Sequence, residues 1–225
     1  MKCKEIRFEA KQKCMKNSGT LAVITLIFSL LNGLASFTIE TENAAVAAIA
    51  SLVSIAGLII SGAVTYGYTF VIRKNFNTQT VEVNDLFVGF KDFLRAFVLS
   101  LLQGLYVFLW SLLFVIPGII KGFAYAMSYY VALDNPNLKA NECITKSKEL
   151  MKGHKWELFC LMFSYIGWLI LCVLTLGILS FWVTPKMHTA VYVLYKKNQH
   201  KVKYTNVEMC YVLFKILRMK LLLLL

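Results

Sequence analysis

The chain has 225 residues, 58% of them hydrophobic and only 16% charged, with a formal net charge of +12. Such a balance excludes an ordinary soluble domain, in which apolar usage stays nearer half. It also speaks against nucleic-acid binding, because the basic residues form no recognition motif and lie between uncharged runs of membrane length.

The first element is a basic stretch, Met1 to Lys16, with an interfacial amphipathic helix expected over about 3–16. The apolar run from Leu21 to Ile39 follows. It is longer than the apolar core of a signal peptide, and no small-x-small cleavage site comes after it, so it reads as a retained first span. A second span is expected over Ala44 to Ile72, closed by Arg73 and Lys74. Only Glu40-Thr41-Glu42-Asn43 separates the two, which makes them a tight hairpin.

An amphipathic helix over about 83–95 comes next. Val83, Leu86, Phe87, Phe90, Phe93, Leu94 and Phe97 repeat at helical spacing, and Asn84 or Thr80 is the expected cap. A third span is expected over about 96–116 and a fourth over about 119–133. Pro117-Gly118 is the expected break, with 117–121 as a turn at the outer surface. One continuous helix over 96–133 would measure roughly 55 Å, too long for a hydrocarbon core of about 30 Å.

Asp134-Asn135-Pro136-Asn137 is a stop-and-restart signal, followed by a second amphipathic helix over about 138–152. The fifth and sixth spans are expected over about 156–176 and 178–195, with Gly177 as their link. The basic, apolar tail over 204–225 is too charged to span and reads as interfacial or disordered. The fold class is therefore all-α, a transmembrane bundle of about six spans in three hairpins and a single domain over 1–203. A weak internal repeat accompanies it: Gly89-Phe90-Lys91-Asp92-Phe93 precedes one hairpin and Gly153-His154-Lys155-Trp156 the next.

With the N-terminus inside, the inner segments hold all 24 Lys and Arg except Lys121 and Lys186. Both termini are therefore expected in the cytoplasm of a cell membrane, with anionic lipids of the inner leaflet as partners. A protein partner or a second copy of the chain stays open.

The second half has distinctive wording: IPGIIKGFAYAMSYYVALDNP from Ile116, SKELMKGHKWELF from Ser147, SYIGW from Ser164 and LTLGIL from Leu174. Together with EIRFEAKQKCMKN from Glu5, these runs closely resemble the bacterial membrane family of unknown function numbered 975, over roughly residues 1–200. The resemblance implies a cell-membrane protein and brings no reaction, cofactor or catalytic residue. The architecture is also distantly similar to the membrane domain that precedes some glycerophosphodiester phosphodiesterases. Where the family has an aromatic residue after the proline of the last span, this chain has Lys186.

Lys186 is the leading candidate for a site. It lies ten residues before Lys196, about 15 Å above the inner end of the sixth span, where a cation suggests a polar site. His188 accompanies it. Lys121, Tyr125 and Tyr129, at i, i+4 and i+8, form a second candidate for a lipid head group. None of the acids falls in mid-span. The six cysteines form no C-x-x-C pair, the three histidines have no metal-ligand spacing, and no hydrolase or phosphate-loop motif occurs. No catalytic residue, metal or cofactor is expected. Two readings follow: a membrane-organising or partner-binding protein without catalysis, or a small transporter of an anionic or lipid-like solute using Lys186.

Overall fold

The computed structural model describes residues 3–35, 44–175 and 177–223. The expected outer link, Glu40 to Asn43, lies outside the described residues. The described chain is helical throughout: α1 (Cys3–Met15), α2 (Ser18–Ala35), α3 (Ala44–Thr78), a 3-10 helix (Val83–Phe90), α4 (Phe93–Leu113), α5 (Val115–Tyr125), α6 (Ser128–Asp134), α7 (Ala140–Leu150), α8 (Lys155–Phe163), α9 (Ile166–Leu174) and α10 (Ser180–Leu223).

Among the described residues, Ile49–Thr78, Phe93–Leu113 and Lys155–Leu174 are long and apolar enough to cross a membrane. A fourth crossing is available if α1 and α2 count together, but the two are bent by 97°. That bend is what an interfacial helix feeding into a span requires: if α2 stands along the bilayer normal, α1 lies near its plane. The chain is a membrane protein. Its buried core gathers around the C-terminal half of α3, where Ala63, Val64, Tyr66, Tyr68, Val71 and Ile72 are all enclosed. The preceding half, with Ile49, Leu52, Ile55 and Leu58, is exposed apolar surface of the kind lipid covers.

Several boundaries differ from expectation. The segment over 83–90 is a 3-10 helix, and its start is fixed by Asp85, whose carboxylate accepts from the Glu82 N–H at 2.9 Å, and not by Asn84 or Thr80. It packs on α3 with almost no gap. A Cβ on Gly67 would sit 1.7 Å from the Leu86 carbonyl oxygen, and one on Gly89 would sit 1.9 Å from that of Ala63. The break in the next hairpin falls at Phe114, in extended backbone (φ −158°, ψ 141°), and not at 117–121. Pro117 lies instead in the first turn of α5, where its missing N–H has no helical partner to lose.

The expected fourth span is interrupted between Tyr125 and Ser128, and the fifth between Phe163 and Ile166. The sixth does not stop near Tyr195: α10 continues as one helix of 44 residues into the tail. Leu, Lys and Met in that tail are good helix formers, and no glycine or proline interrupts them.

Candidate anion site at the α1, α9 and α10 junction

Helix α1 buries one stripe, Ile6, Ala10 and Cys14, against the body of the protein. The spacing is i, i+4, i+8, one face of a helix. Cys14 marks the contact with α10: its Sγ lies 3.1 Å from Thr189 Oγ1 and 3.8 Å from the Pro185 carbonyl oxygen. The Thr189 hydroxyl in turn donates to the Pro185 carbonyl at 2.8 Å. At the bend into α2, Asn75 donates to the Lys13 carbonyl at 3.2 Å, and Asn17 donates to the Asn75 side chain at 3.0 Å and to the Gln79 carbonyl at 2.6 Å.

This docking turns the neighbouring stripe of α1, with Lys4, Arg7, Phe8 and Lys11, towards Lys186. A cavity of about 540 Å³ opens between them, closed by Tyr165, Trp168 and Val183. Four of its lining side chains are cationic and none is a carboxylate. Glu5 and Glu9 belong to an adjacent surface groove. Arg7 is held in place twice, by a hydrogen bond to the Ser164 hydroxyl and by stacking 5.2 Å from the Tyr165 ring centroid. The Tyr165 hydroxyl donates to the Lys186 carbonyl at 3.5 Å. The walls are otherwise apolar: Val183 is buried, while Phe8 and Trp168 are exposed at the rim. Cations grouped around an apolar-walled opening suit an anion with a greasy body.

The family described as "Protein of unknown function (DUF975)" matches residues 1–121 and 112–201. The chain belongs to this family. No curated protein and no solved structure matches it, and the distant likeness to the phosphodiesterase membrane domain gains no support.

In this DUF975 protein Lys186 is not alone in its span, as its sequence position implies, but faces three cations of α1. His188 takes no part in the cavity: its ring meets Tyr68 edge-on at 5.1 Å and its carbonyl accepts from the Tyr130 hydroxyl at 3.2 Å. Residues two apart on a helix point to different faces.

Lys121 shares its cavity with neither Tyr125 nor Tyr129, and the helix breaks between Tyr125 and Ser128. Tyr125 is buried against Tyr106, with ring centroids 6.1 Å apart, and Tyr129 lies beyond the break on α6. Lys121 lines a second cavity, of about 350 Å³, with Ala124, Thr145, Lys148, Glu149, Lys152 and Lys155.

Sequence reasoning missed Lys4, Arg7 and Lys11. Their i, i+3, i+7 spacing was the available signal. It also missed Asp134, which was read only as a helix stop. Its carboxylate accepts from Arg73 at 2.8 Å and from the Tyr195 hydroxyl at 2.8 Å, and Lys196 stands 3.9 Å away. Among the described residues no group of three or more His, Cys, Asp or Glu is placed to hold a metal ion.

Proposed function

We propose that this DUF975 protein is a multi-pass protein of a bacterial cell membrane, with both termini in the cytoplasm, that organises the inner leaflet by holding anionic lipid and carries out no chemistry. The observation that carries the reading is the cavity lined by Lys4, Arg7, Lys11 and Lys186, with apolar walls and no lining carboxylate. A phosphate head group fits the cations, and acyl chains fit the exposed rim of Phe8 and Trp168. The excess of positive charge in the inner segments supports the same orientation and the same partner.

The test is native mass spectrometry of the protein released from nanodiscs that contain phosphatidylglycerol and phosphatidylcholine. Retention of phosphatidylglycerol that the Arg7→Ala/Lys186→Ala variant loses is the expected result. Equal retention by both proteins would remove the reading. The competing transporter reading requires solute flux in liposomes that depends on Lys186.

A further inference from the structure

We propose that the α4–α5 hairpin enters and leaves the membrane on one side, and that Lys121, Lys148, Lys152 and Lys155 form there a second site for a phosphate-bearing anion. Helix α7 and its cap residue Lys139 carry three lysines and two glutamates, so this segment cannot lie in hydrocarbon. Yet α7 touches the hairpin well along its length. The Tyr106 hydroxyl of α4 donates to Asn141 at 3.3 Å, and the Ser147 hydroxyl donates to the Ala124 carbonyl of α5 at 2.8 Å.

The two ends of α4 lead to the same polar layer. Near its start, Arg95 donates to the carbonyls of Asn135 and Leu138 at 2.6 and 3.1 Å. The adjacent Asp134 binds Arg73 and approaches Lys196, and next to Lys196, Lys197 pairs with Glu157 at 2.6 Å. Glu157 lies two residues from Lys155, which shares the second cavity with Lys121. Lys121 in turn sits 4.0 Å from the ring centroid of Trp110, close to the far end of α4. Arg95 and Trp110 are about 22 Å apart along the helix axis. A helix that crossed a core of about 30 Å would carry these ends to opposite faces. Here both flank the same charged helix: Arg95 meets the loop before α7, and Trp110, through Lys121, meets the cavity that Lys148 of its last turn and Lys152 just beyond it line.

The apolar side of α4, with Leu101, Leu105, Phe108, Leu109 and Leu112 exposed, then faces hydrocarbon from the interface, as in a monotopic helix. Removing the third and fourth of the six expected crossings leaves four, so the expectation that both termini share a side is unchanged. Seven residues past the break at Phe114, Lys121 joins Lys148, Lys152 and Lys155 against one carboxylate, Glu149, beside the Thr145 hydroxyl. Trp110 stacked under Lys121 gives that cation an aromatic support. Such a site takes a phosphate group, from a lipid head or from solution.

The experiment uses the full chain with its native cysteines replaced, carrying a single Lys121→Cys, Lys152→Cys or Glu42→Cys substitution. A membrane-impermeant maleimide is applied to intact cells and to inverted vesicles. Position 121 is expected to label from the side that labels 152 and not from the side that labels 42. Labelling with 42, or from neither side, overturns the hairpin placement.

For the ligand, native mass spectrometry compares the full chain with its Lys121→Ala/Lys152→Ala variant. Loss of one bound phosphatidylglycerol is expected, with the signal that depends on Arg7 and Lys186 retained. Displacement of that lipid by millimolar inorganic phosphate identifies free phosphate as the ligand. An unchanged lipid count together with no phosphate binding overturns the site. Lys121→Arg/Lys152→Arg, which keeps both charges, is expected to bind normally and separates charge loss from misfolding.

Discussion

The guanidinium of Arg73 lies 2.8 Å from the carboxylate of Asp134 and so closes the end of α3 onto the end of α6. The Asp134 side chain is only 11% exposed and also accepts from Tyr195 of α10, which makes one carboxylate the tie between three helices. Asp134→Asn removes the charge and leaves Arg73 half-buried without its partner. The expected loss is about 2–3 kcal/mol, read as a lower unfolding midpoint in detergent, because stripping one member from a largely buried pair costs more than the pair itself contributes. A midpoint equal to the parent's would show that Arg73 finds compensation elsewhere.

The contact between α3 and the 3-10 helix predicts a sharp contrast between two glycines. Gly67→Ala places a methyl 1.7 Å from a backbone oxygen and forces the two elements apart. Overpacking of that kind costs about 1–3 kcal/mol or more. Gly104→Ala on α4 meets nothing within 4 Å, and the helix gains up to about 1 kcal/mol from the better helix former. Thermal unfolding of both variants in one detergent measures the difference, and a Gly67→Ala protein as stable as Gly104→Ala would contradict the packing.

Asn75 is fully buried and pins the bend between α1 and α2 through Lys13 and Asn17. Asn75→Ala leaves those groups unpaired, at a cost of about 1–3 kcal/mol. The loosening should concentrate in residues 3–17. Hydrogen exchange is expected to rise there and to stay unchanged in α8. A uniform rise would mean that Asn75 supports the whole bundle instead.

Arg7 offers a test in which charge is conserved. Lysine at this position keeps the cation but gives up the guanidinium that sits over the Tyr165 ring and bonds Ser164. Arg7→Lys is therefore expected to retain phosphatidylglycerol several-fold more weakly than the parent and better than Arg7→Ala. Equal retention by Arg7→Lys and the parent would reduce the role of Arg7 to net charge.

The helical class was readable because long uncharged runs have few other solutions, and α7 because its charged and less polar residues separate at helical spacing. The turn after α4 was misplaced because Pro117-Gly118 looks like a stop, whereas a proline is equally at home in the first turn of a new helix. The cavity was only half legible. Lys186 stands out as a charge in an apolar run, but its companions are about 180 positions earlier in the chain, and no local pattern reports such a contact. The hairpin is harder still. Hydropathy measures whether α4 tolerates hydrocarbon, and a helix lying at the interface with one face in lipid passes that test as well as one that crosses.

Helix α10 is one uninterrupted rod from the cavity wall to the end of the described chain. From residue 186 to residue 223 it measures about 56 Å. From Ala190 to Tyr195, and again at Asn198, it is buried against the bundle, and Tyr195 is tied to Asp134, so that this stretch moves only with its neighbours. The rod therefore joins the cavity wall at Lys186 stiffly to the Asp134 anchor, so that any shift of the wall is opposed by the ion pair with Arg73 two turns and more away.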